Sequence, residues 1–217
     1  MIVITGASDG VGLQLTKLYN NSGKKVVSVS RRESEFADRS IIADFTDDSQ
    51  VVEAARQLLG QDEPIEALIN AAGVWTEEPI DEITQHEIDR VMRTNANAVM
   101  LLTSTLLPRL KKDGADILNV ISTAGTEQVA LTSAVYTASK WALRGYTKAL
   151  QNELKPTGCR VIGFCPGGID TDFFEKYNSR REGQESWMQP ADIAHLIKQL
   201  LDLPKNMQVS EIIINRK

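Results

Sequence analysis

Hydrophobic and polar positions along the chain follow two alternating periods. Short runs rich in β-branched residues fall at Ile2 to Thr5, Lys25 to Val29, Ser40 to Ala43, Ile65 to Asn70, Asp116 to Ile121, Arg160 to Cys165 and Val209 to Asn215. These read as about seven strands. Between them, apolar residues recur at helical spacing over Gly10 to Asn21, Ser49 to Leu59, Thr84 to Leu110, Ala134 to Lys155 and Pro190 to Leu201, with a shorter helix near Glu33 to Phe36. Strands that are apolar on both faces and separated by helices predict an α/β fold, a parallel sheet covered on each side. No repeat, low-complexity block or linker breaks the rhythm, so one domain is expected over 1–217. The least patterned stretch is 172–189, which mixes aromatics, charges and a glycine. A connection that long inside a compact domain reads as a lid.

Composition narrows the field. The chain has 217 residues, 42% of them apolar, with 24 basic against 29 acidic side chains and a net charge of −5. That balance offers no broad basic surface for nucleic acid or an anionic membrane, so any phosphate contact must be local. No apolar run approaches the length of a membrane span, and the run at the amino terminus is too short for a secretory signal, which predicts a cytoplasmic protein. Cys159 and Cys165 lie six positions apart on one predicted strand. Such residues are about 20 Å apart when extended, so two reduced, packed thiols are expected. His86 and His195 have no partner at ligand spacing, and neither is assigned to a metal.

The first strand runs straight into Thr5-Gly6-Ala7-Ser8-Asp9-Gly10-Val11-Gly12, which opens the first helix. Glycines there permit a tight turn and let backbone N–H groups approach a pyrophosphate at the positive end of the helix dipole. The spacing lacks the Gly-Lys-Ser/Thr ending of a triphosphate loop. After the second strand come Ser30, Arg31 and Arg32. An acid at this place would accept the ribose hydroxyls of NAD, whereas an arginine pairs with the 2′-phosphate of NADP. The arginines favour NADP, with NAD as the alternative and Glu33 close enough to complicate the choice.

Tyr136-Thr137-Ala138-Ser139-Lys140 begins a long helix, and the i, i+4 spacing puts phenol and ammonium on one face. A nearby cation favours the phenolate, which would fit Tyr136 for acid and base work. With the glycine turn, the pair resembles the short-chain dehydrogenase/reductase family in its single-domain branch. Further landmarks follow in order: Asn70-Ala71-Ala72-Gly73 after the fourth strand, Asn95 in Arg93-Thr94-Asn95-Ala96-Asn97, Ser122 in Ser122-Thr123-Ala124-Gly125, and Pro166-Gly167-Gly168-Ile169-Asp170-Thr171. The resemblance covers nearly the whole chain.

It implies a doubly wound Rossmann-type sheet and hydride exchange between a nicotinamide and a carbonyl or alcohol. Tyr136 would protonate the carbonyl oxygen and Ser122 would hydrogen-bond it. Lys140 would bind the nicotinamide ribose and lower the phenol's pKa, and Asn95 would hold a water linking Lys140 to solvent. Thr171 and the backbone around Ile169 would orient the carboxamide, and Asp44, followed by Phe45, would meet the adenine. The remaining cofactor contacts would come from Thr5 to Gly12, Asn70 to Gly73, and Pro166 and Gly167.

Two departures stand out. Asp9 occupies a place where many NADP-binding relatives carry a base. The Ser122-to-Tyr136 separation of 14 positions is one longer than usual, so Thr123 is an alternative hydroxyl. The helix over Ala98 to Leu107 is apolar around most of its girth, as at a subunit interface of a homodimer or homotetramer or in an ordinary buried helix. Phe173, Phe174, Tyr177 and Trp187 are candidates to line a lid, with Arg180 and Arg181 attracting an acidic group. A nucleotide-binding sensor on the same fold is the competing reading, and the complete set Asn95, Ser122, Tyr136 and Lys140 argues for turnover. A sugar-nucleotide epimerase would need a second domain, for which the 46 residues after Thr171 are too few.

Overall fold

The computed structural model describes residues 1–127, 133–173, 183 and 186–217. Seven parallel strands form one sheet: β1 (Ile2–Thr5), β2 (Val26–Ser30), β3 (Arg39–Ile42), β4 (Ala67–Asn70), β5 (Asp116–Val120), β6 (Val161–Pro166) and β7 (Glu211–Ile214). Their order is β3-β2-β1-β4-β5-β6-β7. The sheet therefore winds outward in two directions from the β1/β4 seam, where Thr5 lies level with Asn70. Crossovers leave that seam on opposite faces, which opens a crevice beyond the strand ends.

Alternation along each strand explains why both faces are apolar. In β1, Val3 joins a cluster with Val51, Leu58, Leu102 and Leu106 of α2 (Asp48–Leu59) and α4 (Ala98–Asp113). Ile2 and Ile4 point the other way, onto Leu15 and Tyr19 of α1 (Gly10–Asn21) and Ile193 and Ile197 of α6 (Pro190–Leu201). In β4, Leu68 and the pair Ala67 and Ile69 divide in the same manner. Cys159 and Cys165 are free, buried thiols.

Two expected elements differ. The helix read as Thr84 to Leu110 is three pieces: α3 (Gln85–Met92), a π-helical turn (Arg93–Asn97) and α4. Thr84 is the cap of α3, accepting from the Glu87 N–H at 3.2 Å, and α4 runs on past Leu110 to a left-handed cap at Gly114. The apolar period passes smoothly through the π turn, which is why it is invisible in sequence. The helix expected near Glu33 to Phe36 is a plain turn. Ser34 bonds elsewhere: its hydroxyl donates to Ala7 O at 2.7 Å and its N–H to Ser40 Oγ at 3.1 Å. Side-chain contacts of this kind compete with a helix and here win.

The helix expected over Ala134 to Lys155 is α5 (Ala134–Leu154). It is capped by Ser133, whose hydroxyl accepts from the Tyr136 N–H, so the cap sets the start of the helix two turns ahead of Lys140. Of the proposed lid, Phe174, Tyr177, Arg180 and Arg181 lie outside the described residues.

Candidate active site

A cavity of about 800 Å³ lies at the carboxyl ends of the strands, a volume in the range of small-molecule sites. The glycine turn forms one end. Gly6 has φ +68, and a Cβ there would meet Ala72 Cα at 2.8 Å. A Cβ on Gly12 would meet Gly6 O at 2.3 Å. Both close approaches require glycine, and they lay bare backbone along the cavity at Gly6, Ser8, Asp9, Gly10, Val11 and Gly12. Ala7 in the middle is pinned by two serines: its N–H donates to Ser30 Oγ at 2.8 Å and its carbonyl accepts from Ser34. A bare turn at a helix N-terminus fits a dinucleotide pyrophosphate.

Arg31, Arg32, Asp44 and Phe45 continue the wall. Arg32 reaches back to Asp9, 3.5 Å away, and Asp9 also caps α1 through the Gly10 N–H. Arg31 is exposed and joins no ion pair among the described residues. The Asp44 carboxylate accepts from the N–H and hydroxyl of Thr46, both at 2.8 Å, which fixes its direction.

Two expected cofactor contacts do not reach the cavity. Thr5 is buried below it, its hydroxyl accepting from the Ala71 and Ala72 N–H groups at 3.0 and 3.1 Å. Asn70 is likewise buried, its amide donating to Asn119 Oδ1 at 2.8 Å. Both hold the floor on which Ala71, Ala72 and Gly73 sit, and those three do line the cavity.

At the other end Ser122, Tyr136 and Lys140 share the wall. The strand β5 delivers Ser122 and α5 delivers the other two. The Ser122 hydroxyl faces the Tyr136 phenol closely enough to favour its ionised form, and it accepts from the Ala124 N–H at 3.1 Å. Thr123 lines the cavity too. Gly125 presses the turn after Ser122 onto α5, since a Cβ there would lie 2.7 Å from Lys140 O. Lys140 Nζ donates to Val120 O at 3.2 Å and stands 5.6 Å from the Tyr136 ring centre.

Asn95 sits behind this wall, in the π turn. Its carboxamide oxygen accepts from the Val74 N–H at 2.8 Å, and its amide donates to Val74 O and Ser139 Oγ. Gly73 marks the convergence, because a Cβ on it would lie 3.5 Å from Asn95 Oδ1 and 3.6 Å from Lys140 Nζ.

Burial dominates the electrostatics. It pushes the Tyr136 phenol up to about 12, with the Ser122 hydroxyl pulling against it. It pushes the Lys140 ammonium down to about 8. The phenol is raised by its own desolvation, and Lys140 is not among the groups that lower it.

Pro166, Gly167, Ile169 and Thr171 line the cavity as expected, as do Phe173 and Trp187. Sequence reasoning missed Trp75, whose ring centre is 4.5 Å from that of Tyr136. It also missed a face of α3 and the π turn, His86, Asp89, Arg90 and Arg93, and Arg216 beyond β7. Trp75 and Arg216 both follow strand ends, where ligands of such sheets bind, and the α3 set has i, i+3, i+4, i+7 spacing. Those were the available signals.

The chain matches the sequence model described as short chain dehydrogenase over residues 1–182. It is 30% identical over 234 residues to an uncharacterized oxidoreductase of Staphylococcus saprophyticus, covering 98% of this chain and 95% of that one. Among solved structures it resembles an alcohol dehydrogenase from Thermococcus sibiricus complexed with 5-hydroxy-NADP, at TM-score 0.86 and 23% identity, covering 98% and 94% of the two chains. It also resembles a 3-ketoacyl-(acyl-carrier-protein) reductase from Brucella melitensis complexed with NADH, at TM-score 0.84 and 26% identity over 99% and 96%. With this sheet order and these matches, the chain belongs to the short-chain dehydrogenase/reductase family of oxidoreductases.

Proposed function

We propose that this protein is an NADP-dependent carbonyl reductase, equivalently an alcohol dehydrogenase, acting on a small or medium organic substrate. The observation that carries the reading is that Ser122, Tyr136 and Lys140 line one wall of the same cavity as the glycine turn. A nicotinamide would supply or accept the hydride. The turn from Gly6 to Gly12 would cradle its pyrophosphate, Asp44 and Phe45 its adenine, and Lys140 its ribose. Pro166, Gly167, Ile169 and Thr171 would flank the carboxamide.

In reduction, the Tyr136 hydroxyl gives its proton to the carbonyl oxygen while the Ser122 hydroxyl donates a hydrogen bond to that oxygen as charge develops. Lys140 stabilises the phenolate that remains. Asn95 holds the Val74 backbone and Ser139 with its side chain, which leaves resupply of protons to water held by the backbone of the widened turn. NADP over NAD rests on Arg31, because Arg32 is already drawn to Asp9. One domain over 1–217 is part of this reading, and most of the lid expected at 172–189 lies outside the described residues. A cytoplasmic homodimer or homotetramer is the accompanying expectation, and Trp141 on α5 is exposed.

Purified protein offered NADP(H) and a panel of carbonyls and alcohols should change nicotinamide absorbance. Absence of any change, with neither cofactor bound in calorimetry, sinks the reading. Cofactor binding without turnover, unaltered in Tyr136→Phe, would instead support a sensor.

A further inference from the structure

The proposed reduction says nothing of what else the substrate carries, and the catalytic end of the cavity bears on that. Of the arginines lining the cavity, Arg90 is paired with Glu87, Arg93 with Asp48 and Arg32 with Asp9, while Arg31, which joins no ion pair among the described residues, stands with Arg32 by the glycine turn. Arg216 has no carboxylate partner among the described residues. It is held in a built arrangement all the same. Gly167 donates its N–H to Ile214 O at 2.8 Å, which fixes the chain two residues before Arg216 to the Pro166–Gly168 segment. Trp187 lies flat on that segment: a Cβ on Gly168 would come within 2.7 Å of its ring. The guanidinium stands 5.2 Å from the Trp187 ring centre, within cation–π range.

A guanidinium oriented by an aromatic face keeps its outer N–H groups for a planar anion, and a carboxylate matches them bidentately. Another wall of the same cavity is aromatic. Trp75 packs on Tyr136 at 4.5 Å and Phe173 stands edge-on to it at 6.4 Å.

We propose that Arg216, stacked on Trp187, seats a carboxylate of the substrate, so that the protein's substrates are carbonyl compounds with a flat apolar body and an acid group. The inference rests on the Tyr136 reading for the carbonyl but not for the anion seat. Two measurements separate them.

The first compares 4-formylbenzoate and phenylglyoxylate with their methyl esters, using wild type, Arg216→Gln and Arg216→Lys with NADPH. The acids should be preferred by about tenfold or more in kcat/KM. Arg216→Gln should raise KM for the acids about ten- to a hundredfold and leave the esters within about twofold, and Arg216→Lys, a point charge, should recover only part. Equal use of acids and esters by wild type overturns the proposal, as does an equal loss on both in Arg216→Gln. A weakened NADPH affinity with unchanged acid preference also overturns it, since the guanidinium would then serve the nucleotide.

The second is calorimetric binding of benzoate to the NADP-loaded protein, which needs no turnover. Loss of that binding in Arg216→Gln supports the seat, and its persistence, or no binding by wild type, overturns it. Benzoate bound through Arg216 with no carbonyl reduced would sink the Tyr136 reading and leave the seat standing.

Discussion

Tyr136 and Lys140 are four residues apart and buried together, and their shifts run in opposite directions because burial disfavours whichever form is charged. With the phenol raised to about 12 it is protonated throughout the neutral range, ready as an acid for reduction. Alcohol oxidation needs the phenolate beside a charged Lys140, so its kcat should climb with pH up to about 8 and level off above it, while reduction declines above about 8 as Lys140 loses its charge. A flat or falling oxidation profile between about 6 and 8 would remove Tyr136 as the base. Stability follows the same groups. Between about 8 and the ordinary 10.5, the unfolded chain binds a proton at Lys140 that the native chain has released, so this group makes stability rise with pH across the window. Tyr136 acts oppositely above 10, where the native phenol keeps a proton the unfolded chain has lost. In thermal melts, the advantage of Lys140→Met over wild type should therefore shrink as pH goes from about 8 to about 10. Tyr136→Phe should lower kcat about a hundred- to ten-thousandfold with cofactor affinity nearly kept. A variant holding more than about a tenth of the activity would exclude the phenol from proton transfer.

At the scale of elements, the ends of the sheet depend on buried polar ties. Arg160, just before β6, pairs with Asp116 at the start of β5, and their side chains are 5% and 4% exposed. The same guanidinium donates to the carbonyls of Leu201, Leu203, Pro204 and Met207, so one residue fastens the connection from α6 to β7. Removing it strands a buried carboxylate, for which Lys205 is the one cation left among the described residues. Arg160→Met should cost about 3–5 kcal/mol in urea unfolding, and Asp116→Leu added to it should restore much of that. If the double variant is no better than the single, desolvation of Asp116 is not the cause. Elements of this kind were legible where one period ran clean: β1, α1 and α6 have the bounds that their patterns predict. The π turn was not, because Arg93 to Asn97 keeps the apolar spacing of a helix while Asn95 bonds to Val74, 21 positions away. The turn at Glu33 to Phe36 escaped for a similar reason, since Ser34 is claimed by Ala7 across the sheet.

Across the whole molecule, what could be read from sequence was whatever a motif carries locally: the glycine turn, Tyr136 and Lys140, Ser122, and the Pro166–Gly167 segment. What could not be read was which residues distant in the chain converge. Thr5 and Asn70 belong to motifs yet sit one layer below the cavity, holding its floor. Trp75 and Arg216 belong to none and reach it, because each follows a strand end on the same rim. The net charge of −5 likewise hides how few cations face the cofactor end. Arg31 and Arg32 are adjacent, but Arg32 turns to Asp9, so the two should not contribute equally to reading a 2′-phosphate. Ligand that binds only the folded state raises stability by RT ln(1 + [L]/Kd), about 2.7 kcal/mol at a hundred times Kd. At equal concentrations NADP should therefore raise the melting temperature more than NAD. Arg31→Ala should erase most of that difference, whereas Arg32→Ala should erase less of it, since its first effect is to release Asp9. Melts in which Arg32→Ala abolishes the preference and Arg31→Ala leaves it would assign the phosphate to Arg32, and equal shifts by both cofactors in wild type would end the case for NADP.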